Sequence, residues 1–154
     1  MKVKIKKLNE NAVIPTKAHA TDAGLDLTAI SCDIDENGAI VYGTGIAMEI
    51  PEGYVGLVFP RSSIARKDIV LSNCVGVIDS GYRGEIMAKY KPVGFFAQYN
   101  CSRAVEIPYE GTIYGIGERI AQIIIIPIPN IEIEVADELS DSDRDVGGYG
   151  STGN

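Results

Sequence analysis

The feature that most limits how this chain can fold is its punctuation. Asn37-Gly38, Pro51-Glu52-Gly53, Ser80-Gly81 and Glu110-Gly111 break it at short intervals, and the runs between such breaks are rich in Val, Ile and Tyr. Gly tolerates the backbone angles of tight turns, while β-branched and aromatic side chains suit a pleated surface. Short strands are therefore expected at residues 3–6, 25–29, 39–42, 46–49, 54–59, 75–78, 85–90, 104–107, 119–127 and 132–135. Helical signals are weak, and only residues 62–67 have room for a helical turn or two. So many short strands, with 17 Gly and seven Pro to turn them, predict an all-β sandwich or jelly roll. Residues 123–126 are apolar without alternation. That pattern predicts a strand covered on both faces, either central in the core or set against another subunit.

At 154 residues the chain suits one domain. A domain of this size leaves much apolar surface exposed, so oligomerisation is a reasonable expectation. A formal charge of −7 argues against a surface that coats nucleic acid, because that binding rests on clustered Lys and Arg. It leaves room for a free nucleotide in a small basic pocket. The longest apolar run, residues 123–129, is far shorter than the roughly 20 residues of a membrane helix, and no apolar signal core follows the basic N-terminus. Neither nucleic acid nor membrane is therefore expected as a partner. Cys32, Cys74 and Cys101 are odd in number and lack metal-like spacing, which suggests a reducing, cytoplasmic setting.

Five segments carry chemistry. In Asp22-Ala23-Gly24-Leu25-Asp26-Leu27, a strand would turn both leucines inward and Asp26 outward, where a carboxylate near phosphates suits hydrated magnesium; the plainer alternative is a strand-entry turn. In the segment from Phe59 to Lys67, Arg61 precedes Ser62 and Ser63 at the start of a helical turn, which suits an anion, although either serine is equally an N-cap. The segment from Asn73 to Gly84 reads as two strand arms around a tight turn. Its glycines let a flat base approach the backbone, and Asp79, after Val77-Ile78, is placed to accept a proton from water or simply to sit exposed in the turn. Gly117-Glu118-Arg119-Ile120-Ala121-Gln122 enters the apolar strand, with Arg119 and Gln122 on opposite faces if the strand is regular. Residues 1–136 form the expected β domain. Residues 137–154 are acidic, then rich in Gly and Ser, and read as a flexible arm. Within that arm Arg144 and the Gly, Ser and Thr of residues 147–153 also suit a flap that grasps phosphate.

Taken in order, these segments resemble the five motifs of the trimeric dUTPase family, from about residue 18 to residue 153. The resemblance implies the family's jelly-roll fold, a homotrimer with shared active sites, and magnesium-assisted hydrolysis of dUTP to dUMP and pyrophosphate, which limits uracil in DNA and supplies dUMP for dTMP synthesis. It implies that Asp26 meets magnesium through water and that Asp79 activates the water attacking the α-phosphorus. Arg61, Ser62, Ser63 and Gln122 would contact phosphate. Asn73 and the backbone of Gly76, Val77 and Ile78 would read uracil, and Tyr82 would pack under deoxyribose. Arg144, Gly150, Ser151 and Thr152 would clamp the γ-phosphate, with Tyr149 stacking on uracil where the family usually has Phe.

The chain departs from the pattern at Asp145-Val146, at Gly81, and in a long stretch over residues 91–115 that carries Phe95, Phe96, Tyr99, Tyr109 and Tyr114. That stretch invites a second reading, a nucleotide-responsive protein that regulates a partner. A third reading is dCTP deaminase, which shares the fold and a similar Arg-Ser-Ser segment. Its catalytic Glu would fall at Lys89, so the base for deamination is missing.

Overall fold

The computed structural model describes residues 1–93, 113–143 and 145–146. These residues form ten strands and a single 3-10 turn. The strands are β1 (Lys4–Lys7), β2 (Leu25–Thr28), β3 (Ser31–Ile34), β4 (Ile40–Gly43) and β5 (Ile46–Glu49), followed by β6 (Tyr54–Pro60), β7 (Ile69–Leu71), β8 (Gly76–Ile78), β9 (Met87–Pro92) and β10 (Arg119–Pro127). The 3-10 turn, Ser62–Arg66, follows β6 directly. One four-stranded sheet has the order β2-β10-β6-β8, another β3-β4-β9-β7, and β1 pairs with β5 in a separate ribbon. Every pairing is antiparallel.

A single apolar core binds the two larger sheets together. Leu27, Val58 and Ile123 enter it from the first, and Tyr42, Ile69 and Tyr90 from the second. The tyrosines are fully buried, so their hydroxyls need partners. Tyr90 Oη donates to the Ile120 carbonyl at 2.6 Å and Tyr42 Oη to the Tyr114 carbonyl at 2.8 Å. The first of these bonds ties the second sheet to β10.

The expected jelly-roll-like, all-β architecture and the short helical turn are present, but several elements differ in detail. Strands β3 and β7 were not anticipated. The first opens Ser-Cys-Asp, which reads as turn chemistry, and the second has only three residues. Residues 132–135 form no strand. Their alternating pattern is right, but they are exposed, and a strand needs a neighbour to hold its backbone. Of the two arms expected in the 73–84 segment only the first is a strand, β8, and it joins β6; residues 79–86 form no strand, and β9, which begins at Met87, joins β4 and β7. The apolar run in β10 is central, yet only Ile123 is fully buried and Ile126 is exposed, so a single chain does not cover both faces. The expected strand at 104–107 lies outside the described residues.

Candidate active site

Three elements converge on Asp26. This aspartate lies on β2, directly opposite Gln122 of β10. Its Oδ1 accepts from Arg61 Nε at 2.6 Å and its Oδ2 from Arg119 Nη1 at 2.9 Å. The Asp26 and Arg61 side chains are mostly buried, while Arg119 stays half exposed. Asp26 thus faces away from the core, as expected, but guanidinium groups rather than open solvent meet it.

A β-bulge explains why Arg119 belongs to this cluster. Arg119 pairs with Thr28 and Ala121 with Leu27, so two residues of β10 answer one step of β2. The extra residue, Ile120, resets the alternation. Arg119 and Gln122, expected on opposite faces, therefore share the face of Asp26, while Ile120, Ala121 and Ile123 are buried in the core. An ideal-strand reading cannot see this, because a bulge leaves no composition signal here.

Gln122 passes close to Gly24. A β-carbon at position 24 would overlap the Gln122 side chain, so glycine makes room for the amide. Gln122 Nε2 donates to the Pro60 carbonyl at 3.1 Å, which fixes it beside the start of the 3-10 turn. A cleft of about 280 Å³ is lined by Asp22, Gly24, Asp26, Arg61, Ser62 and Gln122, among others. Asp22 serves the turn itself: its Oδ2 accepts the His19 amide at 2.8 Å. The 3-10 turn begins after Arg61 without any side-chain capping bond, so the alternative of a serine N-cap is not realised and the Ser62 hydroxyl is not spent on a cap.

Ser63 is directed elsewhere. Its hydroxyl lies 3.0 Å from Tyr114 Oη, on the wall of a second, larger cleft of about 540 Å³ lined by Arg61, Arg66, Lys67, Tyr114 and Arg119. In the sequence Tyr114 is one aromatic among five in the long stretch. Its contact with Ser63 arises from the fold.

The 73–84 segment forms a separate surface. Cys74 has a φ of 60°, which reverses the chain between Asn73 and β8. Asn73, Val77, Asp79 and Tyr82 are exposed, while Gly76 and Ile78 are half-buried. The Tyr82 amide donates to the Asp79 carbonyl at 3.0 Å, and Tyr82 Oη to the Glu85 carbonyl at 3.0 Å. The tyrosine ring lies over Gly84, where any β-carbon would collide with it. Ile78 pairs with Gly56, five residues before Arg61 along β6. Counted along β6 at about 3.3 Å per residue, the base of the Asp79 turn lies roughly 16 Å from Arg61 in the same chain. Arg144, Tyr149, Gly150, Ser151 and Thr152 lie outside the described residues.

No helix of the described residues is long and apolar enough to cross a membrane. The family model for dUTPase matches residues 10–153. The deoxyuridine 5'-triphosphate nucleotidohydrolase of Nautilia profundicola is 43% identical, covering 99% of both chains, and that of Hydrogenobaculum sp. is 37% identical, again covering 99% of both. The solved structure of the Staphylococcus bacteriophage 80alpha dUTPase with dUPNHPP superposes with a TM-score of 0.80 at 31% identity, covering 99% of each chain. The dUTPase from phage phi11 of S. aureus, whose structure gives the coordination of a structural Mg(II) ion, superposes with a TM-score of 0.69 at 28% identity, covering 90% of this chain and 98% of that one. Sequence match along nearly the whole length and shared architecture agree, and the chain belongs to the dUTPase family.

Proposed function

We propose that this chain hydrolyses dUTP to dUMP and pyrophosphate by in-line attack of an Asp79-activated water on the α-phosphorus, with magnesium as cofactor. The observation that carries the reading is the convergence of Arg61, Ser62 and Gln122 beside Asp26 on one small cleft. Cationic, hydroxyl and amide donors from the turn after β6 and from β10, gathered beside Asp26 of β2, are preorganised for phosphate oxygens, and phosphoryl transfer gains most of its acceleration from such positioning and electrostatics.

The chain's own groups divide the work. Arg61, Ser62 and Gln122 bind phosphate, and Ser63 contributes from the same turn. Asn73 and the backbone of Gly76, Val77 and Ile78 read the uracil edge. Tyr82, braced over Gly84, underlies the deoxyribose. Asp79 takes a proton from the attacking water, and its exposure leaves it open to solvent. Arg144, Gly150, Ser151 and Thr152 close over the γ-phosphate, with Tyr149 on the base.

Asp26 suits magnesium only through water. Each of its oxygens already accepts from an arginine, and a carboxylate has further lone pairs to offer. Among the described residues no three His, Cys, Asp or Glu gather as ligands, which suits an ion that keeps most of its waters and leans on substrate phosphates. When bound, the ion would neutralise charge on the phosphates.

Three copies sharing their sites account for the roughly 16 Å between the base of the Asp79 turn and Arg61 within one chain, since one copy's Asp79 turn would then face another's phosphate cluster. The uncovered Ile126 and the exposed Ile131, Ile133 and Val135 also call for a neighbouring chain. Residues 1–136 would be the β domain and residues 137–154 the arm that crosses over, in a cytoplasmic enzyme. Deamination of dCTP is disfavoured because Lys89 is spent on Asp35 at 3.2 Å and no carboxylate stands in its place. The test is pyrophosphate release from dUTP, dTTP, dCTP and UTP, with and without magnesium. Release from dUTP alone, dependent on magnesium, is expected, and ammonia released from dCTP at a comparable rate would overturn the assignment.

A further inference from the structure

We infer that Tyr114 is a positioning residue for the triphosphate end of the site, acting through Ser63 on the turn that presents Arg61 and Ser62. This inference rests on the function proposed above. Tyr114 is 2% exposed and stands where the chain returns from the long stretch toward β10. Its hydroxyl lies 3.0 Å from the Ser63 hydroxyl, and its ring lies under Lys67 Nζ at 4.8 Å from the centroid. Lys67 in turn donates to the Ile113 carbonyl at 2.7 Å. Two residues of the 3-10 region, Ser63 and Lys67, are thereby held by one side chain and its neighbour's backbone.

Tyr114 is itself anchored. Its amide donates to Tyr42 Oη at 3.1 Å while its carbonyl accepts from that same hydroxyl at 2.8 Å. Its ring packs edge-on against both Tyr42 and Tyr90. Five residues of 3-10 helix hold themselves weakly, because such turns have poor hydrogen-bond geometry, and this one lacks a side-chain cap. Asp26 and Gln122 hold the entry to the turn through Arg61 and the Pro60 carbonyl, and the contacts from Tyr114 and Ile113 brace its body at Ser63 and Lys67. Because the Ser63 hydroxyl points to Tyr114, Ser63 would face phosphate with its backbone rather than its side chain.

The simpler account is that the serine merely satisfies a buried phenol. The two accounts separate kinetically. Tyr114→Phe keeps the ring, the tyrosine packing and the cation contact, and removes only the hydroxyl. A bond of this kind is worth about a three- to tenfold change in an equilibrium constant. The expected result is a rise of that size in KM for dUTP, with kcat per folded site changed less than about twofold and inhibition by dUMP unaltered, since dUMP lacks the outer phosphates. Ser63→Ala should give the same rise, Ser63→Thr should restore it toward wild type, and the Tyr114→Phe, Ser63→Ala double variant should be no worse than either alone. If Tyr114→Phe folds poorly, the two Ser63 variants carry the test. A merely structural role predicts a lower Tm and fewer active sites with KM unchanged, and that result would overturn the inference, as would multiplicative effects in the double variant or equal weakening of dUMP. A wild-type protein that releases no pyrophosphate from dUTP would instead sink the function itself.

Discussion

Arg61 and Asp26 meet across a strand that belongs to neither of them: Arg61 Nε donates to Asp26 Oδ1 at 2.6 Å although β10 lies between β2 and β6. The pair forms because Arg61 has just left the sheet at the end of β6 and can reach back over Gln122. Arg119 closes the other side of the carboxylate. The cluster is therefore both a tie between strands and part of the lining of the cleft proposed to take phosphate.

Asp26→Asn should act on both roles. The amide keeps the shape but removes the charge, leaving two guanidiniums facing each other without a counter-ion. Charge-assisted hydrogen bonds contribute about 1–3 kcal/mol each, so a stability loss of about that size is expected in urea unfolding. If Asp26 has the proposed role, turnover should fall at least about tenfold, because Arg61 loses its orientation and a hydrated magnesium would lose its carboxylate. A variant with wild-type turnover would remove Asp26 from the site.

Gly24→Ala tests the packing beneath Gln122. The new β-carbon would overlap the glutamine side chain, which must swing away and give up its bond to the Pro60 carbonyl. The φ at Gly24 is not positive, so backbone strain plays no part. The expected loss is about 1 kcal/mol of stability together with a raised KM for dUTP. If Gly24 acts through Gln122, then Gln122→Ala should abolish any further effect of Gly24→Ala, and full additivity in the double variant would refute the coupling.

What was legible in the sequence followed from local rules. Asp26 was expected to face away from the core because Leu25 and Leu27 flank it, and period-two alternation in a strand does not depend on distant residues. Arg61 and Ser62 stood out because the strand signal stops at Pro60. The ion pair of Arg119 was not legible, because it depends on one extra residue at Ile120 that shifts the face of everything before it. The contact of Ser63 with Tyr114 joins residues far apart in the chain, and only the packing of two sheets brings them together. The misread strand at 132–135 has the opposite cause: the alternation is real, but pairing needs a partner, and within one chain none is offered among the described residues.

Asp79→Asn should separate binding from chemistry. Asp79 stays exposed in a turn whose backbone is held by the Tyr82 amide and by Arg83 donating to the Ser80 and Tyr82 carbonyls. None of these bonds uses the Asp79 carboxylate, so the turn should survive the change. Nucleotide affinity, measured by calorimetry with a non-hydrolysable dUTP analogue, should stay within about threefold of wild type. Turnover should fall by about 10²-fold or more, the usual contribution of a general base. Retained turnover would take the role of base away from Asp79.

The buried tyrosines set an alkaline limit on stability. Burial pushes the phenols of Tyr42 and Tyr90 well above the ordinary value of 10.0. In the folded chain they keep their protons where the unfolded chain releases them, so the unfolded state binds fewer protons and stability falls as pH rises. The contribution of each is whole below about pH 10, the value in the unfolded chain, and is lost progressively above it at up to about 1.4 kcal/mol per pH unit. Between pH 10 and 11 the two together should cost about 2 kcal/mol, seen as a falling urea midpoint in wild type. Tyr90→Phe lowers stability at every pH, because the bond to the Ile120 carbonyl is lost, but it should also make the decline above pH 10 about half as steep. A wild-type midpoint that stays level from pH 9 to 11 would mean that the phenols can ionise within the fold, and the packed tyrosine cluster would then not be the rigid anchor on which Tyr114 depends.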